Sequence, residues 1–104
     1  MSEILQKLAR TIQERREAAA GASYTRQLLD AGPAGCARKF GEESLEVIIA
    51  AISEDDGSLA GEVADLVYHL LVLLEARGVA LDDVLAVLEA RMGTSGLAEK
   101  AGRG

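Results

Sequence analysis

Two long segments with helical periodicity flank the polar residues Glu54–Gly57. So short a connection leaves the two helices no choice but to lie side by side and antiparallel. The upstream segment, 34–54, repeats apolar residues at Leu45, Ile48, Ile49 and Ile52; the downstream one, 58–77, does so at Val63, Leu66, Val67, Leu70, Leu71 and Leu74. Each set follows the 3.6-residue period and is expected to face inward. Ser58 is the expected cap of the second helix, and Gly78 its end.

Shorter helices complete the pattern. Residues 2–19 carry a stripe of Ile4, Leu5, Leu8 and Ile12, with Ser2 as cap and Gly21 as terminator. "SYTRQLLDAG" reads as a short helix capped by Ser23, which Gly32-Pro33 stops before the long helix begins. "LDDVLAVLEARM" reads as a further helix from about Leu81. No strand pattern competes. The expected fold is all-α: one domain over residues 1–104, a helical bundle with two long antiparallel helices plus shorter ones.

The chain holds two Tyr, one Phe and no Trp among 104 residues, so Ala, Leu and Val must fill its core. With so few large anchors, a second subunit is expected to complete that core. The net charge of −6 and the lack of a basic run speak against nucleic acid as a partner. The longest apolar run, "LVYHLLVLL", is about half of the roughly 20 residues a bilayer requires, which argues against a membrane span. The N-terminus shows no apolar signal region, and the single Cys36 suits a reducing cytoplasm.

The carboxylates carry the chemistry. Residues on a helix turn by about 100° per step, so Glu43 and Glu46 lie about 60° apart with Lys39 between them. Leu45, Ile48, Ile49 and Ile52 occupy the opposite half. The next helix repeats the device: Glu62 and Asp65 share one face, with His69 between them. Antiparallel packing sets the two pairs at similar distances from the turn, facing each other. Two readings stand. Acidic helix faces are commonly just solvated. Alternatively, four converging carboxylates would repel one another unless a hard divalent cation joined them, and Mg²⁺ prefers carboxylate oxygens while leaving positions for phosphates. A di-iron site is disfavoured, because the chain has one His and no Glu-x-x-His.

Glu43-x-x-Glu46 and Glu62-x-x-Asp65, fifteen residues apart, resemble the ExxE…ExxD pattern of the MazG-like all-α nucleoside triphosphate pyrophosphohydrolases. Within that superfamily, "SYTRQLLDAG", "ARKFGEESLEV", "EVADLVYHLLVLL" and "SGLAEKAGR" are similar to phosphoribosyl-ATP pyrophosphohydrolases, from about Ile4 to Arg103. That resemblance implies a stand-alone, Mg²⁺-dependent homodimer in histidine biosynthesis. It would hydrolyse N1-(5-phosphoribosyl)-ATP to the AMP derivative and pyrophosphate, with carboxylates holding the metal and one of them a candidate general base.

Roles follow, each beside a plainer one. Glu43, Glu46, Glu62 and Asp65 are the expected metal ligands. Glu42 is a candidate ligand, base or outer acceptor, or else a surface ion-pair partner. Lys39 is a candidate phosphate contact, or an i,i+4 partner of a glutamate. His69 is a candidate substrate contact, or a core histidine bonded to a carboxylate. Tyr24 and Thr25 match a family element and are candidate substrate contacts, although packing and capping account for them as well. Arg91, Lys100 and Arg103 are candidate phosphate partners, or ordinary surface cations. The tail from Ser95 is expected to serve recognition more than folding. Two rival functions remain: a non-catalytic helical dimerisation module, and a pyrophosphohydrolase of ordinary deoxynucleoside triphosphates.

Overall fold

The computed structural model describes residues 3–18 and 23–93. Five helices follow in order: α1 (Glu3–Arg15), α2 (Tyr24–Asp30), α3 (Gly32–Ser53), α4 (Asp56–Arg77) and α5 (Leu81–Met92). There is no strand among the described residues. The all-α expectation holds, and α3 and α4 form the expected long pair, with the most extensive contact in the molecule.

The boundaries follow local chemistry. Asp55, rather than Ser58, caps α4: its carboxylate accepts from the Ser58 amide at 2.8 Å. A carboxylate at a helix start also meets the positive end of the helix dipole, which a hydroxyl does less well. That bond holds the Asp55 carboxyl below its ordinary range. Gly78 ends α4 in the left-handed region (φ 72°), and the Val79 amide reaches back to the Leu74 carbonyl at 2.9 Å. Gly32, also left-handed (φ 78°), breaks α2 from α3 ahead of Pro33. α1 gives way after Arg15 to successive i→i−3 bonds through Ala18, short of the expected end at residue 19. Its expected cap Ser2 and terminator Gly21 lie outside the described residues.

α1 and α2 cover one side of α4, and α2 also touches α3. The core beneath them is small: Ile12, Cys36, Leu71 and Val72, flanked by Leu8, Leu28, Val67 and Leu74. Cys36 sits here as a buried thiol, donating to the Leu28 carbonyl at 3.1 Å, and burial raises its pKa. α5 is tied at its start, where Gln6 donates to Asp82 at 2.8 Å, and beyond that it packs only slightly on the rest. By length and composition alone α4 would suffice to cross a membrane. It carries Glu62, Asp65 and His69, however, and it is the helix on which α1, α2 and α3 all pack.

The expected inward faces are overturned in part: on α4, Val63 (40%) and Leu70 (37%) are exposed. Leu45, Ile48, Ile49 and Ile52 do not face inward; Leu45 is 60% exposed and Ile52 81%. The opposite side of α3 is the buried one, through Cys36, Val47 and Ala50. Cys36, Glu43 and Ala50 recur at intervals of seven, so they share one stripe. Small residues on that stripe let α4 approach closely, which a row of Leu and Ile would prevent. The helical wheel divides the sides correctly, but which one α4 covers depends on side-chain volume.

Candidate metal centre

Because the Cys36–Glu43–Ala50 stripe faces α4, Glu43 is drawn into the seam between the long helices, where its side chain is only 15% exposed. Across from it, one turn apart on α4, stand Glu62 and Asp65. One carboxylate oxygen from each of Glu43, Glu62 and Asp65 lies within 4.8 Å of the other two. Three of the four expected ligands therefore converge. Glu46, one turn further along α3, stands outside this trio and is exposed. It is still near enough to act on Glu62. Partial burial pushes the Glu62 carboxyl above its ordinary range, and the charges of Glu46, Asp65 and Glu43 add to the shift. Glu62 thus resists ionising, first through desolvation and then through the like charges of its neighbours.

The donor set fits a hard divalent cation. All three groups offer oxygen. Mg–O bonds of about 2.1 Å place ligands at most about 4.2 Å apart across one octahedron, so small side-chain rotations suffice to close the trio on an ion. Beside it, Lys39, Glu42, Glu43, Leu45, Glu46 and Ile49 line an open hollow of about 400 Å³. Lys39 pairs with Glu43 at 3.4 Å. That hydrogen bond, with a smaller contribution from Tyr24, raises the Lys39 pKa and keeps it cationic. Glu42 is exposed at the edge of this hollow.

His69 is buried, 6% exposed, behind the trio. Its Nε2 lies 3.8 Å from Glu43 Oε1, too long for a hydrogen bond. Burial lowers its pKa despite the nearby Glu43, so it is neutral at pH 7. The rings of Tyr24 and Tyr68 meet it edge to face, at 6.4 and 5.0 Å. Tyr24 is 54% exposed at the margin of the groove, whereas Thr25 is buried with its hydroxyl 2.5 Å from that of Tyr68. Arg91 lies in the last turn of α5 and is exposed. Lys100 and Arg103 lie outside the described residues. Gly41 is exposed, and a Cβ there would meet nothing within 4 Å, so no other helix among the described residues approaches it. Tyr68 was not a sequence candidate: it lies inside the longest apolar run, outside the acidic stripe. Its adjacency to His69 was the one available signal.

The sequence is similar to those of known proteins. The sequence model of the family described as phosphoribosyl-ATP pyrophosphohydrolase matches residues 5–92. A phosphoribosyl-ATP pyrophosphatase of Cereibacter sphaeroides is 56% identical over 101 residues, covering 97% of this chain and 98% of the relative. Proteins of the same name from Ruegeria pomeroyi and Rhodobacter capsulatus are 55% and 53% identical over 100 residues. Each alignment spans 96% of this chain, and 95% and 97% of those relatives respectively. With the family match across most of the helical bundle and relatives aligned nearly end to end, this chain belongs to the phosphoribosyl-ATP pyrophosphohydrolase family of hydrolases.

Proposed function

We propose that the chain hydrolyses N1-(5-phosphoribosyl)-ATP to N1-(5-phosphoribosyl)-AMP and pyrophosphate in a Mg²⁺-dependent step of histidine biosynthesis, in the cytoplasm. The observation that carries the chemistry is the convergence of Glu43, Glu62 and Asp65 oxygens within 4.8 Å. Family membership supports the substrate.

Glu43, Glu62 and Asp65 would hold the ion, with Glu46 joining from the neighbouring turn. Bound Mg²⁺ supplies positive charge that binds the triphosphate and stabilises the pyrophosphate as it leaves. The chain's own groups do the rest. Lys39, now paired to Glu43, is placed to turn toward a phosphate oxygen once a cation takes over that carboxylate. Glu42, at the edge of the same hollow, would accept a proton from an attacking water. Neutral His69 fills the space behind Glu43 and keeps water from that side of the carboxylate. Arg91, Lys100 and Arg103 are further candidate phosphate partners.

The active form is a homodimer. Leu45, Ile48, Ile49 and Ile52 leave an exposed apolar face on α3, and Val63 and Leu70 are further exposed apolar side chains on α4. A face of that composition calls for a protein cover, and a second copy of the chain is the partner proposed here.

The test is pyrophosphate release with Mg²⁺, from N1-(5-phosphoribosyl)-ATP alongside ordinary ribo- and deoxyribonucleoside triphosphates. Clear preference for the adduct is expected. Equal or better turnover of a deoxynucleoside triphosphate overturns the substrate, and no turnover of any of them overturns the enzyme reading.

A further inference from the structure

α2 has seven residues, too few to be stable alone, so its position depends on its ties. Three are present. Arg26 donates to the carbonyls of Ala18 and Arg16 at the exit of α1. The Cys36 thiol holds the Leu28 carbonyl. The Thr25 and Tyr68 hydroxyls share a hydrogen bond of 2.5 Å.

Only the third tie reaches the metal centre. Two consecutive residues of α2 meet two consecutive residues of α4: Thr25 bonds Tyr68, and Tyr24 packs edge-on against His69. The Tyr68 ring closes the square by packing against His69 at 5.0 Å and 77°. His69 in turn faces Glu43. The start of α2, which carries the half-exposed Tyr24, is therefore tied to α4 by one hydroxyl. A Phe at 68 would fill the same space and keep the ring contact, so core packing alone does not account for the phenol.

We propose that Tyr68 is a positioning residue, whose hydroxyl bond to Thr25 holds the first turn of α2 so that Tyr24 offers its ring to the purine of the nucleotide at the rim of the carboxylate groove. Purines stack readily on aromatic side chains. The proposal rests on the nucleotide-hydrolase reading above.

The test compares wild type with Tyr68→Phe, Thr25→Val, Thr25→Ser, the double variant Tyr68→Phe/Thr25→Val, and Tyr24→Leu. KM and kcat are measured by pyrophosphate release from N1-(5-phosphoribosyl)-ATP with Mg²⁺, and thermal melts follow folding. Tyr68→Phe and Thr25→Val should each raise KM by roughly three- to tenfold and leave kcat within about twofold. The double variant should be no worse than the weaker single, because both remove one bond. Thr25→Ser, which keeps the hydroxyl, should restore the wild-type KM. Tyr24→Leu should raise KM at least as much as Tyr68→Phe. An unchanged KM in Tyr68→Phe, additive effects in the double variant, or a fall confined to kcat would overturn the proposal. Failure of the wild type itself on the adduct would instead overturn the substrate assignment. The positioning role is read independently from the Kd of α,β-methylene-ATP, which needs no turnover: equal values for wild type and Tyr68→Phe overturn it whatever the enzyme hydrolyses.

Discussion

The two sides of α3 are both apolar in large part, yet they meet different fates. One side, through Cys36, Val47 and Ala50, is pressed against α4 and carries Glu43 into the seam. The other, through Leu45, Ile48, Ile49 and Ile52, has larger side chains and stands open. The difference teaches that hydrophobicity and burial within one chain are separate matters. Small residues win the helix–helix contact because they permit close approach. Bulky ones are left for another surface.

The largest effect expected on the closed side concerns its charge. Glu43→Gln or Asp65→Asn should lower kcat/KM for N1-(5-phosphoribosyl)-ATP by at least about 100-fold, while circular dichroism stays helical. Near-normal turnover in both variants would remove the carboxylate trio from the chemistry.

On the open side, the proposed dimer predicts that wild type sediments as a dimer at micromolar concentration and Ile48→Asp as a monomer. A charge in the middle of an apolar interface would have to be desolvated on association. A dimer that survives this change does not use the Ile48 face.

The two sides should also differ in their tolerance of volume. Ala50→Leu overfills the buried seam and should destabilise by about 1–3 kcal/mol in denaturant melts. Ile52→Ala, 81% exposed in the single chain, should change monomer stability by no more than about 0.5 kcal/mol. Any further loss should grow with protein concentration, because Ile52 belongs to the proposed dimer face; a large loss independent of concentration would show that Ile52 supports the single chain.

The smallest effect tests the repulsion within the trio. Burial and neighbouring charge raise the Glu62 pKa in the folded chain. Its ionised form therefore opposes folding at neutral pH. That penalty is absent below the ordinary carboxylate range and is felt as pH rises through the raised value. In chelator, Glu62→Gln should melt slightly above wild type at pH 7.5, and the gap should close as pH falls toward about 4. Saturating Mg²⁺ should reverse the order, because the wild type binds the ion better. A variant that melts below wild type in chelator at pH 7.5 would show that Glu62 gains more from its surroundings than it loses.

Much of this was legible in the residues. Gly32-Pro33, Gly78 and the polar stretch around Asp55 mark where helices stop, since each acts through its own backbone or a cap a few residues away. Glu43, Glu62 and Asp65 were readable as one cluster, because i,i+3 spacing and a short turn nearly fix where such side chains go. Glu46 was harder. It shares the stripe of Glu43 but lies one turn along, and the extent of convergence depends on how the helices cross. Tyr68 was not readable as a site neighbour, because its partner Thr25 is 43 residues away and no local rule pairs them.

The sequence by itself determined the helices, their antiparallel pairing and the half of each helix that bears carboxylates. These follow from periodicity, capping and the length of one turn, all interactions within a few residues. Only the tertiary structure decided which half of α3 faces α4, that Glu43 is sheltered while Glu46 is not, and that a tyrosine on α4 hydrogen-bonds Thr25 at the start of α2. Those outcomes depend on side-chain volumes meeting across the seam and on contacts between residues distant in the chain, which no local pattern encodes.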